Sequence, residues 1–290
     1  MTATELYPSQ CKLAEGPVWD NSKKCCYWVD IDGYTLFEYQ WNTRTVKKRK
    51  FDQKPGMLAL SENNTLIIAL NRSIARYHTE SETLEMLLEV EPGNTANRFN
   101  DGKCDTKGRL WIGTMHMEFK PYTGSFYCID KDLKPIKYLD QLTISNGMAW
   151  SPDNKRLYFI DSPKQTIESY LFNAESGKII FEKIAVHIPK ELGTPDGMTI
   201  DTEGMLWVAH WGGFGVYRWD PVNDILLNKI DLPVPNITSC TFAGDLLDIL
   251  VITTAQGDLN EEELKKYPQS GNIFYFKTAS KGFLANKCLI

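Results

Sequence analysis

This chain is poor in the features that define several common protein classes. Its seven cysteines are an odd number, none form a Cys-x-x-Cys pair, and neighbours such as Cys25 and Cys26 would point to opposite faces of a strand. A disulfide framework or cysteine-ligated zinc is therefore not expected, and the cysteines read as reduced packing residues. Only four histidines are present, with no Ser-His-Asp arrangement among their neighbours. A net charge of −5 argues against nucleic acid as a partner, since such binders carry a basic face. The one basic run, Lys47-Lys48-Arg49-Lys50, reads as a solvated edge strand. No apolar run approaches the ~18 residues of a membrane span, and Met1–Pro8 lacks a basic-then-apolar leader pattern, so a cytoplasmic protein is expected. Helical signal is confined to 260–266, where Asn260-Glu261-Glu262-Glu263 forms a capping-box pattern inside the long insertion 256–270.

What the chain does contain is one phrase, repeated. Pro195-Asp-Gly-Met-Thr-Ile-Asp-Thr-Glu-Gly-Met-Leu-Trp207 reads as two strands around a tight turn with Gly204 at its tip. Asn100–Trp111 repeats it closely and Asn146–Tyr158 with one extra turn residue, while weaker copies begin at Glu15, Gly56 and Thr238. These six anchors are separated by 41, 44, 46, 50 and 42 residues, and each interval holds four strand-like runs. In the fifth interval these are 197–201, 205–210, 215–220 and 225–232. That period predicts an all-β, six-bladed β-propeller with four antiparallel strands per blade, one domain over 1–290. Residues 1–14 are too few for a blade and are expected to pair with the C-terminal strands, closing the ring.

In such a ring all six anchors enter from one face and converge on the axis. Glu15, Asn100, Asn146 and Asp196 bring side-chain oxygens there, whereas blades two and six offer Gly56 and Thr238. Two carboxylates and two carboxamides suit a hard cation such as Ca²⁺, Mg²⁺ or Mn²⁺; Asx-type turn capping is the alternative. Glu118, in the long connection 115–123, and Arg98 lie on the same face, as a pocket for a polyhydroxylated or anionic small molecule or simply as a surface ion pair. His116 and His210 fall near that face, while His78 and His187 do not.

Ala14–Asp20, Tyr27–Ile31, Asn97–Lys103, Gly113–Met115, Ser145–Trp150 and Pro195–Met198 together resemble the regucalcin (senescence marker protein), gluconolactonase and luciferin-regenerating enzyme family, in order along the whole chain. The resemblance implies a six-bladed propeller with one divalent ion on its axis and hydrolysis of a sugar lactone. It implies Glu15, Asn146 and Asp196 as metal ligands, with Ca²⁺ favoured over Zn²⁺, Mn²⁺, Mg²⁺ or Fe²⁺. For such a lactonase Asp196 is the candidate catalytic residue, orienting or deprotonating the attacking water. Arg98, Asn100 and Glu118 match substrate-contacting positions. A monomer is expected, and a calcium-binding regulatory protein without turnover is the alternative.

Overall fold

The computed structural model describes residues Met1–Ile290. Its strands form six four-stranded antiparallel sheets, and the innermost strand of each packs against that of the next, with the sixth returning to the first. The innermost strands are Ala14–Asp20, Pro55–Leu60, Asn97–Cys104, Ser145–Trp150, Thr194–Ile200 and Ile237–Ala243. The ring is closed as expected: Thr4–Tyr7 pairs antiparallel with Ile273–Lys277 and supplies the outer strand of blade six.

Burial follows position in the blade. Thr65–Leu70, second in blade two, is covered on both faces and reads as a continuous apolar run, while the outermost Thr83–Glu89 is largely exposed. The core is accordingly not one cluster but six, each shared by two neighbouring blades; Trp28 and Phe37 of blade one, for instance, pack with Val251 and Ile273 of blade six. The basic stretch forms the outer strand Val46–Lys50, whose exposed lysines and arginine blunt a free sheet edge.

The repeated phrase has a physical cause. After the inner strand of blade five, Asp201 Oδ1 accepts the turn N–H groups of Glu203 and Met205, while Oδ2 accepts from Trp207 Nε1 and Arg218. Asp105 does the same in blade three, taking Lys107 N, Trp111 Nε1 and Arg109 Nε. One fully buried carboxylate thus fixes the turn and anchors the following strand's indole, so Asp, Gly and Trp recur at matched spacing.

All seven cysteines are buried and unpaired. The helix is Glu261–Lys266, with both halves of the capping box formed by Asn260 and Glu263. The last residues cross the ring at the far ends of the inner strands. There Thr202 N donates to Lys281 O, Gly282 N to Leu247 O, Asn286 Nδ2 to Cys104 O and Cys288 N to Leu60 O, so four blades hold the tail.

Candidate functional site

Each anchor lies in a β-bulge. The register between first and second strands shifts at Glu15/Val18, Pro55/Met57, Phe99/Gly102, Ser145/Met148, Pro195/Met198 and Ile237/Ser239. This corrects the expectation from sequence that blade five's first strand begins at 197: it begins at Thr194 and contains the anchor Asp196, and Arg98 lies within a strand as well. The ladder continues past the anchor because a bulge accommodates the extra residue without ending the pairing, and it re-aims the side chain there.

Small residues let the bulges approach one another. A Cβ on Gly147 would lie 2.5 Å from the Asp196 carbonyl oxygen, and one on Gly56 would lie 2.6 Å from that of Phe99. Blade six contributes Thr238, whose Oγ1 is committed to Ala14 O (2.6 Å) and Thr253 Oγ1 (2.8 Å). Blades two and six therefore pack the ring, while blades one, three, four and five furnish the chemistry.

Glu15, Asn146 and Asp196 are all buried. Asn146 Nδ2 donates to Ser162 Oγ (3.0 Å), but its Oδ1 is buried without a hydrogen-bond partner. A buried, unpaired carboxamide oxygen is costly, and a hard cation would satisfy it. Burial lifts the Glu15 carboxyl well above the usual range, as do the Asp196 and Asp101 charges, while Gly16 N–H and the Arg98 guanidinium pull it down. Asp196 is also raised by burial, against the Asn146 amide, Arg98 and Gly197 N–H, with Asp101 raising it further. No three His, Cys, Asp or Glu side chains come close enough to hold a metal by themselves, so a cation here would need the carboxamide. Two carboxylates, a free carboxamide oxygen and an excess of buried negative charge make a donor set that fits a divalent ion.

Arg98 is buried beside this group, its Nη1 donating to Phe99 O and Asn100 Oδ1, both at 2.8 Å. Burial lowers its pKa, opposed by the charges of Asp32, Glu15 and Asp196. Asn100 also donates from Nδ2 to Ser145 O (2.9 Å), joining blade three to blade four. Glu118 stands apart: it is exposed, its N–H donates to His116 Nδ1, and it forms no ion pair with Arg98. His210, fully buried and stacked on Tyr217, is lowered to about 4 by burial.

Sequence reasoning missed two acidic neighbours. Asp101 follows Asn100 inside the same bulge, and its charge acts on both Glu15 and Asp196. Asp32 follows the second strand of blade one, Cys25–Asp30, where it pairs with Lys54 (2.7 Å) and acts on Arg98. Both could have been found, Asp101 as a departure from the glycine that follows Glu15, Asn146 and Asp196, and Asp32 by its place in a loop on the anchor face.

The comparisons agree with this architecture. Residues 13–256 match the model of the SMP-30/Gluconolactonase/LRE-like region. The chain is 35% identical to a Bacillus subtilis protein named "Putative sugar lactone lactonase YvrE", over 93% of each chain. It is 34% identical to regucalcin of Macaca fascicularis, covering 93% of this chain and 92% of that one. The crystal structure of a protein described as calcium-binding, regucalcin from Agrobacterium tumefaciens, superposes with a TM-score of 0.95 at 25% identity, covering 100% and 98% of the two chains. This chain belongs to the SMP-30/gluconolactonase/LRE-like family.

Proposed function

We propose that the protein is a metal-dependent lactonase that opens a sugar lactone to the corresponding aldonic acid. The observation that carries this reading is the unpaired Asn146 Oδ1 facing a site with two buried carboxylates, Glu15 and Asp196, with a buried guanidinium alongside. Membership of a family with lactonase-named relatives supports the reaction class.

Glu15, Asn146 and Asp196 would hold the ion, Ca²⁺ in the first instance; when bound, it supplies a Lewis acid for the lactone carbonyl. The remaining work falls to the chain itself. Asp196 accepts a proton from the attacking water through a carboxylate oxygen, a role that a carboxylate at the same site as the ion can take and the Asn146 carboxamide cannot. Arg98 is pre-oriented by its bonds to Phe99 O and Asn100 Oδ1, and so can direct its remaining N–H groups at ring or carbonyl oxygens of the sugar. Asn100, braced across two blades, fixes that guanidinium, and Glu118 would reach sugar hydroxyls from the exposed residues 117–123; the strand before them runs on to His116, two residues further than the sequence suggested.

Release of acid from freshly dissolved glucono-, galactono-, xylono- and arabinono-lactones, followed with and without chelator, tests the reading. Chelator-sensitive turnover supports it, and unimpaired turnover by thoroughly demetallated protein overturns it. Calcium binding without turnover would support the second reading, a regulatory cation-binding protein, favoured by the description of the Agrobacterium relative as calcium-binding.

A further inference from the structure

Blade three breaks the pattern of the bulges. In blades one, four and five the anchor is followed by glycine: Gly16, Gly147 and Gly197. Blade three instead has Asp101 after Asn100, followed by Gly102 and the lysine Lys103. Both charged side chains line the cavity of about 480 Å³ that runs along the axis behind the anchors, bounded by all six inner strands and the C-terminal tail. Asp101 is 8% exposed; its Oδ1 accepts from Gly102 N (2.7 Å), and its other oxygen takes no hydrogen bond from the protein. Lys103 Nζ is tethered to Met198 O (2.8 Å), two residues past Asp196, and comes within ion-pair distance of no carboxylate.

We propose that Asp101 and Lys103 set the divalent-cation affinity of the axial site from behind it, the carboxylate strengthening and the ammonium weakening it, with neither contacting the ion. The inference rests on the cation reading of Glu15, Asn146 and Asp196. The Asp101 charge is felt by both Glu15 and Asp196, and the Lys103 charge by Asp101, while both side chains share one cavity with Gly16, the neighbour of Glu15. A further negative charge there favours an incoming divalent cation and a positive charge opposes it. Direct ligation by Asp101 is not part of the scheme, because the acidic side chains do not converge closely enough for a three-carboxylate site. Groups that act on a metal without touching it typically change affinity by about 10–100-fold, and a buried location limits screening by solvent.

The two partners give opposite signs, which a purely structural role would not. Metal-stripped full-length protein is titrated calorimetrically with Ca²⁺ alone, comparing wild type with Asp101→Asn, Asp101→Gly, Lys103→Gln and Glu15→Gln. Asp101→Asn retains the acceptor for Gly102 N–H, and Asp101→Gly restores the residue that three other blades carry there, so one of the pair reports even if the other folds poorly. Melting temperatures in chelator establish that each variant is folded. Both Asp101 variants are expected to weaken Ca²⁺ binding by about 10–100-fold and Lys103→Gln to tighten it by up to about tenfold. Asp101 variants within twofold of wild type, or a Lys103→Gln that binds more weakly, overturn the proposal while a defective Glu15→Gln leaves the cation site standing. A wild-type protein that takes up no Ca²⁺, Mn²⁺ or Zn²⁺ overturns both.

Discussion

Replacing Asp196 by Asn and Glu15 by Gln separates cation holding from proton transfer. The two carboxylates are closely matched: Glu15 is 7% exposed and Asp196 8%, each is raised by burial and by the Asp101 charge, and each is lowered by Arg98. Glu15 accepts the N–H of Gly16 (2.8 Å), a bond that an amide oxygen can keep. Removing either charge should therefore weaken the cation to a similar extent and relieve a similar repulsion in the metal-free protein. What differs is the base. Loss of a general base costs about 10²–10⁴-fold in kcat, or about 3–5 kcal/mol of transition-state stabilisation. At saturating Ca²⁺, Asp196→Asn is expected to show that full loss and Glu15→Gln about tenfold or less. The assay is initial-rate acid release over a metal titration, with kcat taken from the plateau of each variant. Equal plateaus would refute the argument and make Asp196 a ligand only.

Arg98→Ala should raise KM strongly and leave Ca²⁺ bound as tightly or more tightly, since a guanidinium donates hydrogen bonds, cannot ligate a cation, and sets a positive charge against Glu15 and Asp196; loss of Ca²⁺ binding in calorimetry would contradict this. Gly147→Ala forces a Cβ to within 2.5 Å of the Asp196 carbonyl oxygen, and urea unfolding should show a loss of about 1–3 kcal/mol together with weaker cation binding. His210, lowered to about 4, is neutral in the fold while its unfolded counterpart protonates near 6.5. Its contribution is thus complete above about pH 6.5 and falls away as the pH drops toward 4, so His210→Gln should flatten the acid limb of a stability profile over that window. Deleting residues 1–7 exposes Ile273–Lys277 as a bare edge, and size-exclusion chromatography should then show association and scanning calorimetry a lower Tm.

The fold was legible because its repeat is enforced locally. Asp201 and Asp105 each bind their own turn and the next strand's indole, so the requirement leaves a mark every time it is met. Ring closure was legible by elimination, residues 1–14 being too few for a blade. The bulges were not, because a one-residue slip in pairing is a relation between two strands and neither strand's composition reveals it. Asp101 was hidden for a related reason. As one more acidic residue in a turn-like phrase it looks ordinary, and it stands out only when the aligned copies are compared at the position where three other blades carry glycine. The Glu118 side chain depends on the conformation of an irregular connection, on which strand periodicity is silent.

The C-terminal tail has a consequence for how the ring holds together. It is hydrogen-bonded to blades two and three and to blades five and six, which lie on opposite sides of the ring. A ring held only by contacts between neighbours can part at any one seam without straining the others. A strap that crosses it couples distant seams, so that opening one of them pulls on the blades opposite and the six sheets resist separation as a unit.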